Sequence, residues 1–316
     1  MGSQQPFTDS NFDWVSYNTF RPSYPSVLFK HIFDYHNRHA PVSETILDLG
    51  CGPGTCTPYL LERDTVRLII SVDIGHNQLE IAKKAFISHP RVTDGLVELQ
   101  FRLSRAEELA WLADSSIDIV VAAEAVHFFD HGPWFREVSR VLKPGGTLAF
   151  WFYQPAGVVQ GNPAATNIVK SIFRLYYDAW AADCNNTDEA KVKRRATGIH
   201  GNSLLDTVSP PTDAFEDEMR VKWIPEGYVS CSPMLPIDRS SHTVGHITHQ
   251  SEGMMEKSWN WESFQQYLET LAISHYADPE EERRLKQEFK DSVGGDEARF
   301  TMLWPLVLVL CRRKKE

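Results

Sequence analysis

The stretch Ile46-Leu47-Asp48-Leu49-Gly50-Cys51-Gly52-Pro53-Gly54-Thr55 limits the fold of this chain more than any other. The apolar run over 45–49 reads as a buried strand, and it ends directly in a glycine turn that opens a helix at 57–61. Glycines at such a turn permit positive φ and let a ligand approach the amide groups at a helix N-terminus. A dinucleotide fingerprint would space its glycines G-x-G-x-x-G. Here the third comes one residue early, and an acid, Asp48, lies two residues before the first. No Gly-Lys-Ser/Thr follows, so the turn is not a P-loop. About twenty residues on, Asp73 closes the next apolar run, where a carboxylate can accept both ribose hydroxyls of a nucleoside. A nucleoside cofactor without a pyrophosphate suits this arrangement.

The alternation continues beyond Asp73. Runs at 68–72, 97–103, 117–122 and 147–153 read as strands, with helices over 77–88 and 134–141. A short acidic turn falls at 106–109, and Lys143-Pro144-Gly145-Gly146 reads as a turn before the fifth strand. Continuous apolar strands alternating with helices predict a parallel sheet covered on both faces. Ahead of this core, residues 1–40 are crowded with aromatics around Arg21-Pro22-Ser23-Tyr24-Pro25, which could pack as core. After it, 155–260 is richer in Pro, Gly, Asn, Ser and His, with an amphipathic helix near 165–182 and an alternating strand near 219–224. Helices at 261–275 and 279–292 and a strand region at 299–312 complete the chain. The organisation expected is an N-terminal cap at 1–40, a core at 41–154, a substrate-cap elaboration at 155–300 with one returning strand, and a terminal strand of the core sheet at 300–316.

Composition narrows the partners. Against 42 Asp and Glu stand 32 Lys and Arg, a net charge of −10 over 316 residues. That balance disfavours nucleic acid and anionic membrane, which select a basic footprint, and points to a small molecule. Five scattered cysteines form no disulfide framework, and no apolar run reaches the ~20 residues needed to span a bilayer. A cytoplasmic protein is expected. His242, His246 and His249 show H-x3-H-x2-H, but Thr243, Val244, Ile247 and Thr248 between them are β-branched, so a polar loop without metal is expected.

Taken in order, Asp48-Leu49-Gly50-Cys51-Gly52-Pro53-Gly54, Asp73, Ala106-Glu107 and Arg140-Val141-Leu142-Lys143-Pro144-Gly145-Gly146 resemble the class I S-adenosylmethionine-dependent methyltransferases. Residues 17–25 and 122–130 look similar to the fungal trans-aconitate methyltransferase-like branch. The resemblance implies an α/β fold, a doubly wound, mostly parallel seven-stranded sheet, with an N-terminal helical cap and an inserted substrate cap. It implies S-adenosyl-L-methionine as cofactor and a small-molecule acceptor, most simply O-methylated on a carboxylate or hydroxyl. N-, S- or C-methylation, a non-methylating enzyme on the same fold, and a non-enzymatic regulator stay open.

Carried onto this chain, the family pattern makes Gly50, Cys51, Gly52 and Gly54 the wall for the methionine part of the cofactor. Asp48 faces its ammonium, Asp73 holds the ribose, Ile74 lies beside the adenine, and Ala106 and Glu107 line the adenine edge. Many relatives carry Asp just before that Ala-Glu pair, where this chain has Arg105. Glu124 borders the methionine moiety. The fourth strand runs into Glu124-Ala125-Val126-His127, and ligands sit at the carboxyl ends of such strands. An ordinary imidazole pKa would make His127 a base near neutrality or a substrate orienter. Tyr17 and Arg21 line the substrate pocket, Arg21 as a planar fork for an acceptor carboxylate. Trp151, Tyr153, Tyr176, Tyr177, Trp180, Trp259 and Trp261 are the aromatic residues available to wall it.

Overall fold

The computed structural model describes residues 13–40, 43–183, 198, 200–201, 203–230, 246–249, 253–271 and 273–315. Five strands, β1 (Thr45–Leu49), β2 (Leu68–Asp73), β3 (Glu98–Leu103), β4 (Ile117–Ala123) and β5 (Leu142–Tyr153), form the parallel part of the main sheet. Between them lie α3 (Thr57–Leu61), α4 (His76–Phe86), α5 (Pro90–Thr93) and α6 (His131–Val141). The strand order is β3-β2-β1-β4-β5, so the sheet reverses direction between β1 and β4, which is where ligands bind in doubly wound sheets.

Successive strand residues divide between two cores. Ile46, Ile69, Ile119 and Val121 join one buried cluster, while Leu47, Ile70 and Val120 join the other. Both faces of the sheet are therefore covered, which explains why its strands read as unbroken apolar runs.

The C-terminal part of the sheet departs from expectation. It has eight strands where the sequence leads to seven, because two strands return instead of one: β7 (Phe215–Trp223) and, parallel to it, β8 (His246–His249). His246 and His249 thus lie in a strand, not a polar loop, and His242 falls outside the described residues. The region expected as one terminal strand is split at Pro305 into β10 (Phe300–Trp304) and β11 (Leu306–Arg313). β11 runs antiparallel between β5 and β7 in the main sheet. β10 instead leaves it, pairing with β6 (Val158–Val159) and β9 (Met255–Trp259) in a separate three-stranded sheet. The Lys143–Gly146 motif is not a free turn but the irregular start of β5, where Lys143 pairs with buried Asp118 at 2.7 Å and Gly145 takes φ +81°.

The caps have local causes. Asp13 accepts from the amides of Val15 and Ser16 to start α1 (Trp14–Phe20), and Pro22 follows the helix end. Pro25 precedes α2 (Ser26–His39), which packs on β5 and β11. Beyond the core, α7 (Pro163–Asp183) lies against α9 (Pro279–Val293), and α8 (Trp261–Glu269) lies against α1. α9 shows strong end signals: Asp278 as N-cap, Pro279, three glutamates in the first turn, and Gly294 in the left-handed region at its end.

Candidate active site

The glycine turn is built by close approach. Gly50, Gly52 and Gly54 take φ of +69°, +54° and +86°. The amides of Gly50 and Cys51 both donate to the Val72 carbonyl, which ties the turn to the end of β2. A Cβ at Gly50 would stand 2.5 Å from that of Ala125, and one at Gly54 2.5 Å from the Phe86 ring. A Cβ at Gly52 would meet nothing within 4 Å, so only that glycine fronts open space.

Two acids flank the turn. Asp48 is fully buried on β1, and neither carboxylate oxygen has a hydrogen-bond partner. Burial, with the nearby charge of Asp73, pushes its pKa up to about 7. Asp73, at the end of β2, accepts from the amides of Gly52 and Gly75, both at 2.8 Å. These bonds fix the carboxylate and leave each oxygen a second lone pair. Beside it the side chain of Ile74 is 49% exposed.

The N-terminal segment lies over this turn. Asn18 accepts from the Thr55 hydroxyl at 3.3 Å. Arg21, only 8% exposed, donates through Nη1 to the Tyr153 hydroxyl and through Nη2 to the Thr270 carbonyl, both at 2.9 Å. Its guanidinium carbon lies 4.7 Å from the centre of the Tyr17 ring and 5.7 Å from that of Tyr267. Its Nε has no partner, and among the described residues no carboxylate forms an ion pair with it. A buried charge normally finds a counter-ion.

The end of β4 completes the cluster. Glu124 takes φ +53°, its amide donates to the Trp151 carbonyl, and its carboxylate accepts from the Tyr153 amide. Burial pushes its pKa up to about 8, against the Tyr153 bond and the Arg21 charge. His127 packs its ring edge-on to Phe152 at 4.9 Å, and its Nδ1 lacks a partner. Burial, together with His200, His131 and Arg21, lowers its pKa to about 3. An imidazole lowered in this way is a weaker base than an ordinary histidine, and its free Nδ1 remains available to a ligand.

The remaining expected residues separate. Cys51 and Ala106 are buried. Glu107 accepts from the Asp130 amide at 2.8 Å and lies 3.5 Å from Arg105, so its carboxylate fastens the loop after β4. Of the aromatics, Tyr153 reaches Arg21, but Tyr176 bonds Glu282, Trp259 packs on Trp304, and Trp261 on Phe289. Those three fill the core between caps. Thr270, Tyr267 and Lys257 at the site were not singled out from sequence; Thr270 acts through its carbonyl, which no side-chain pattern reveals.

A doubly wound sheet with a nucleoside-type turn and acids at its reversal point defines the class of protein. Residues 47–150 match the family described as "Methyltransferase domain". The chain is 32% identical to a Saccharomyces cerevisiae protein named "Probable S-adenosylmethionine-dependent methyltransferase", over 56% of this chain and 55% of that protein. It is 25% identical to the methyltransferase ptaI of Pestalotiopsis fici, over 95% and 93%. With the yeast protein and with the methyltransferase AacuQ of Aspergillus aculeatus (46%), the match spans about half of the relative's length. A solved structure assigned as a type II methyltransferase, from Anaeromyxobacter dehalogenans, shares the fold at TM-score 0.56 and 22% identity, covering 93% of this chain and 98% of that one.

Residues 47–150 thus match a methyltransferase domain, and the yeast relative makes S-adenosylmethionine the group against which the site is to be compared. The residues present fit that group: Asp48 offers carboxylate oxygens without a protein donor, and Gly52 leaves open ground before the backbone.

Proposed function

We propose that this protein methylates an oxygen of a small molecule, a carboxylate in preference to a hydroxyl. The observation that carries the reading is Arg21: a buried guanidinium, fixed at two nitrogens by neutral oxygens, with its Nε unpartnered. Planar guanidinium and carboxylate match as paired forks, so an acceptor carboxylate would supply the missing counter-ion. A carboxylate is already nucleophilic at neutral pH and needs no base, which agrees with a site whose histidine has its basicity lowered.

When bound, S-adenosylmethionine supplies an electrophilic methyl group for in-line displacement, a reaction governed by approach and alignment. In this reading Gly50, Cys51, Gly52 and Gly54 form the wall behind the cofactor, and Asp48 neutralises its ammonium. Asp73 accepts the ribose hydroxyls, while Ile74, Ala106 and Glu107 border the adenine. Glu124 stands near the sulfur end. Arg21 fixes one end of the acceptor, Tyr17 covers the site from α1, and His127 orients the acceptor as a hydrogen-bonding wall. Closing α1 over the turn excludes water and strengthens the local electrostatics.

The test is transfer of labelled methyl across acids, phenols, amines and thiols. Label from the preferred acceptor should appear in an ester, released by mild alkali as methanol. Arg21→Met should raise KM for acids at least tenfold, the scale of a lost charged hydrogen bond, and leave cofactor affinity within about twofold. Label found only in alkali-stable products would remove the carboxylate assignment.

A further inference from the structure

The cluster around Arg21 holds a second hydrogen-bond donor that the protein leaves unspent. Tyr153 is the last residue of β5, only 2% exposed, at the carboxyl end of a strand that runs parallel to β4. Its backbone is held on both sides: its amide donates to the Glu124 carboxylate, and it pairs with Leu306 of β11. The ring lies on the sheet face that Trp151 shares, with Phe152 between them on the other. The sheet therefore places this ring, not the cap. Its hydroxyl oxygen accepts from Arg21 Nη1 at 2.9 Å.

A phenol has one proton to give as well as lone pairs to offer. The buried residues Tyr35, Tyr176, Tyr177 and Tyr267 each donate that proton to an oxygen, of Asp217, Glu282, Gln154 and Pro155 in turn. Tyr153 differs. A guanidinium accepts nothing, so the bond to Arg21 uses the oxygen alone, and among the described residues no acceptor takes the proton. Buried polar groups normally find a partner. A hydroxyl that accepts from a cation is also a stronger donor, because the two bonds polarise one another. Tyr267, whose ring lies 5.7 Å from the same guanidinium, is the contrast. Its hydroxyl donates to Pro155 and accepts from Trp304 Nε1, so packing uses it fully.

We propose that Tyr153 is a substrate-binding residue whose hydroxyl donates to the acceptor carboxylate that also pairs with Arg21. The inference rests on the carboxylate reading above and deepens it. The bond between Arg21 and Tyr153 keeps the two donors adjacent before an acceptor arrives, and the Thr270 carbonyl holds the other terminal nitrogen. An anion that meets the charge beside Nη1 then lies within reach of the hydroxyl. Selectivity follows from the same count of donors. A carboxamide brings an NH2 group to a place that offers only donors, so it binds less well than the acid.

The probe is whichever of benzoate, cinnamate, hexanoate and octanoate the protein methylates fastest, titrated by calorimetry into protein saturated with S-adenosylhomocysteine. Tyr153→Phe keeps the ring and should weaken binding of that acid about tenfold, the scale of a lost hydrogen bond to a charged group. Its affinity for S-adenosylhomocysteine should stay within about twofold of the unsubstituted protein, since the lost bond serves the acceptor. In an Arg21→Met background, Tyr153→Phe should still weaken the acid at least about threefold, because the hydroxyl touches the acceptor itself. Labelled-methyl kcat/KM reads the same comparison where binding is too weak for calorimetry. If Tyr153→Phe adds no loss in that background, Tyr153 is a strut for Arg21, and the inference is overturned while the carboxylate reading stands. If no acid is methylated, or Arg21→Met binds the acid as tightly as before, the carboxylate reading falls and the inference with it.

Discussion

At the scale of single residues, the candidate site leaves buried polar groups incomplete: both oxygens of Asp48 and the Nε of Arg21 lack a partner. Asp73 is the contrast: its carboxylate already orders the amides of Gly52 and Gly75, so its position is set before any ligand arrives. Asp73→Ala should weaken binding of S-adenosylhomocysteine at least tenfold, about 1.4 kcal/mol, within the range for a lost hydrogen bond to a charged group. Titration calorimetry measures this, and the thermal melt of the free variant shows how much of the loss comes from the turn itself. Wild-type affinity would remove the ribose role. Asp73 was legible in sequence because an acid at the end of the second strand has a chemical reason to be there. The state of His127 was not. Its spacing placed it at the end of β4, but its low basicity depends first on burial and then on His200, His131 and Arg21, the first and last of them distant in sequence.

At the scale of elements, legibility follows the same division between local and remote causes. Strands β1, β2, β4 and β5 are buried on both faces, so each carries its own apolar signature. The small sheet had no such signal: β6 is two residues long, and β9 and β10 find their partners across large gaps in sequence. Pro305 was visible, but its effect of sending 300–304 and 306–313 to different sheets depends on what lies beside them. That sheet has a consequence at the site. Lys257 on β9 donates to the carbonyls of Thr19 and Arg21, at 2.7 and 3.0 Å, at the C-terminal end of α1. A cation there complements the helix dipole and fastens the segment that carries Tyr17 and Arg21. Lys257→Met keeps the stem and removes the charge. With ~1 kcal/mol lost from such a contact, KM for the acceptor should rise roughly fivefold with little change in kcat. Limited proteolysis should cut near residue 20 sooner. A variant with unchanged KM and unchanged cleavage would reduce Lys257 to a surface residue.

At the scale of the whole molecule, the net charge of −10 is less telling than where the buried titratable groups lie. Asp48 and Glu124 have folded values raised to about 7 and about 8, and Asp73 is raised too, all by burial first. For such groups the folded state holds protons that the unfolded state gives up. Their stabilising share is complete below the ordinary carboxylate range and is lost as pH rises through the raised values. His127 and His200, lowered to about 3 and about 4, and His131, also lowered, act in the opposite sense. Kept neutral by burial, they add stability above the ordinary imidazole value, and that share is lost as pH falls towards the lowered values. Between the two ranges the contributions oppose each other. Above about pH 6.5 the histidines are spent and only the acids act, so the free protein should melt at progressively lower temperature from about pH 6.5 to about pH 8.5. A bound cofactor whose ammonium meets Asp48 should remove part of that decline. Melting curves across this range, with S-adenosylmethionine and without, make the comparison. A melting temperature that holds level to about pH 8.5 without ligand would show that these carboxyls ionise freely in the folded protein, and that the cluster around the glycine turn is wetter than its packing implies.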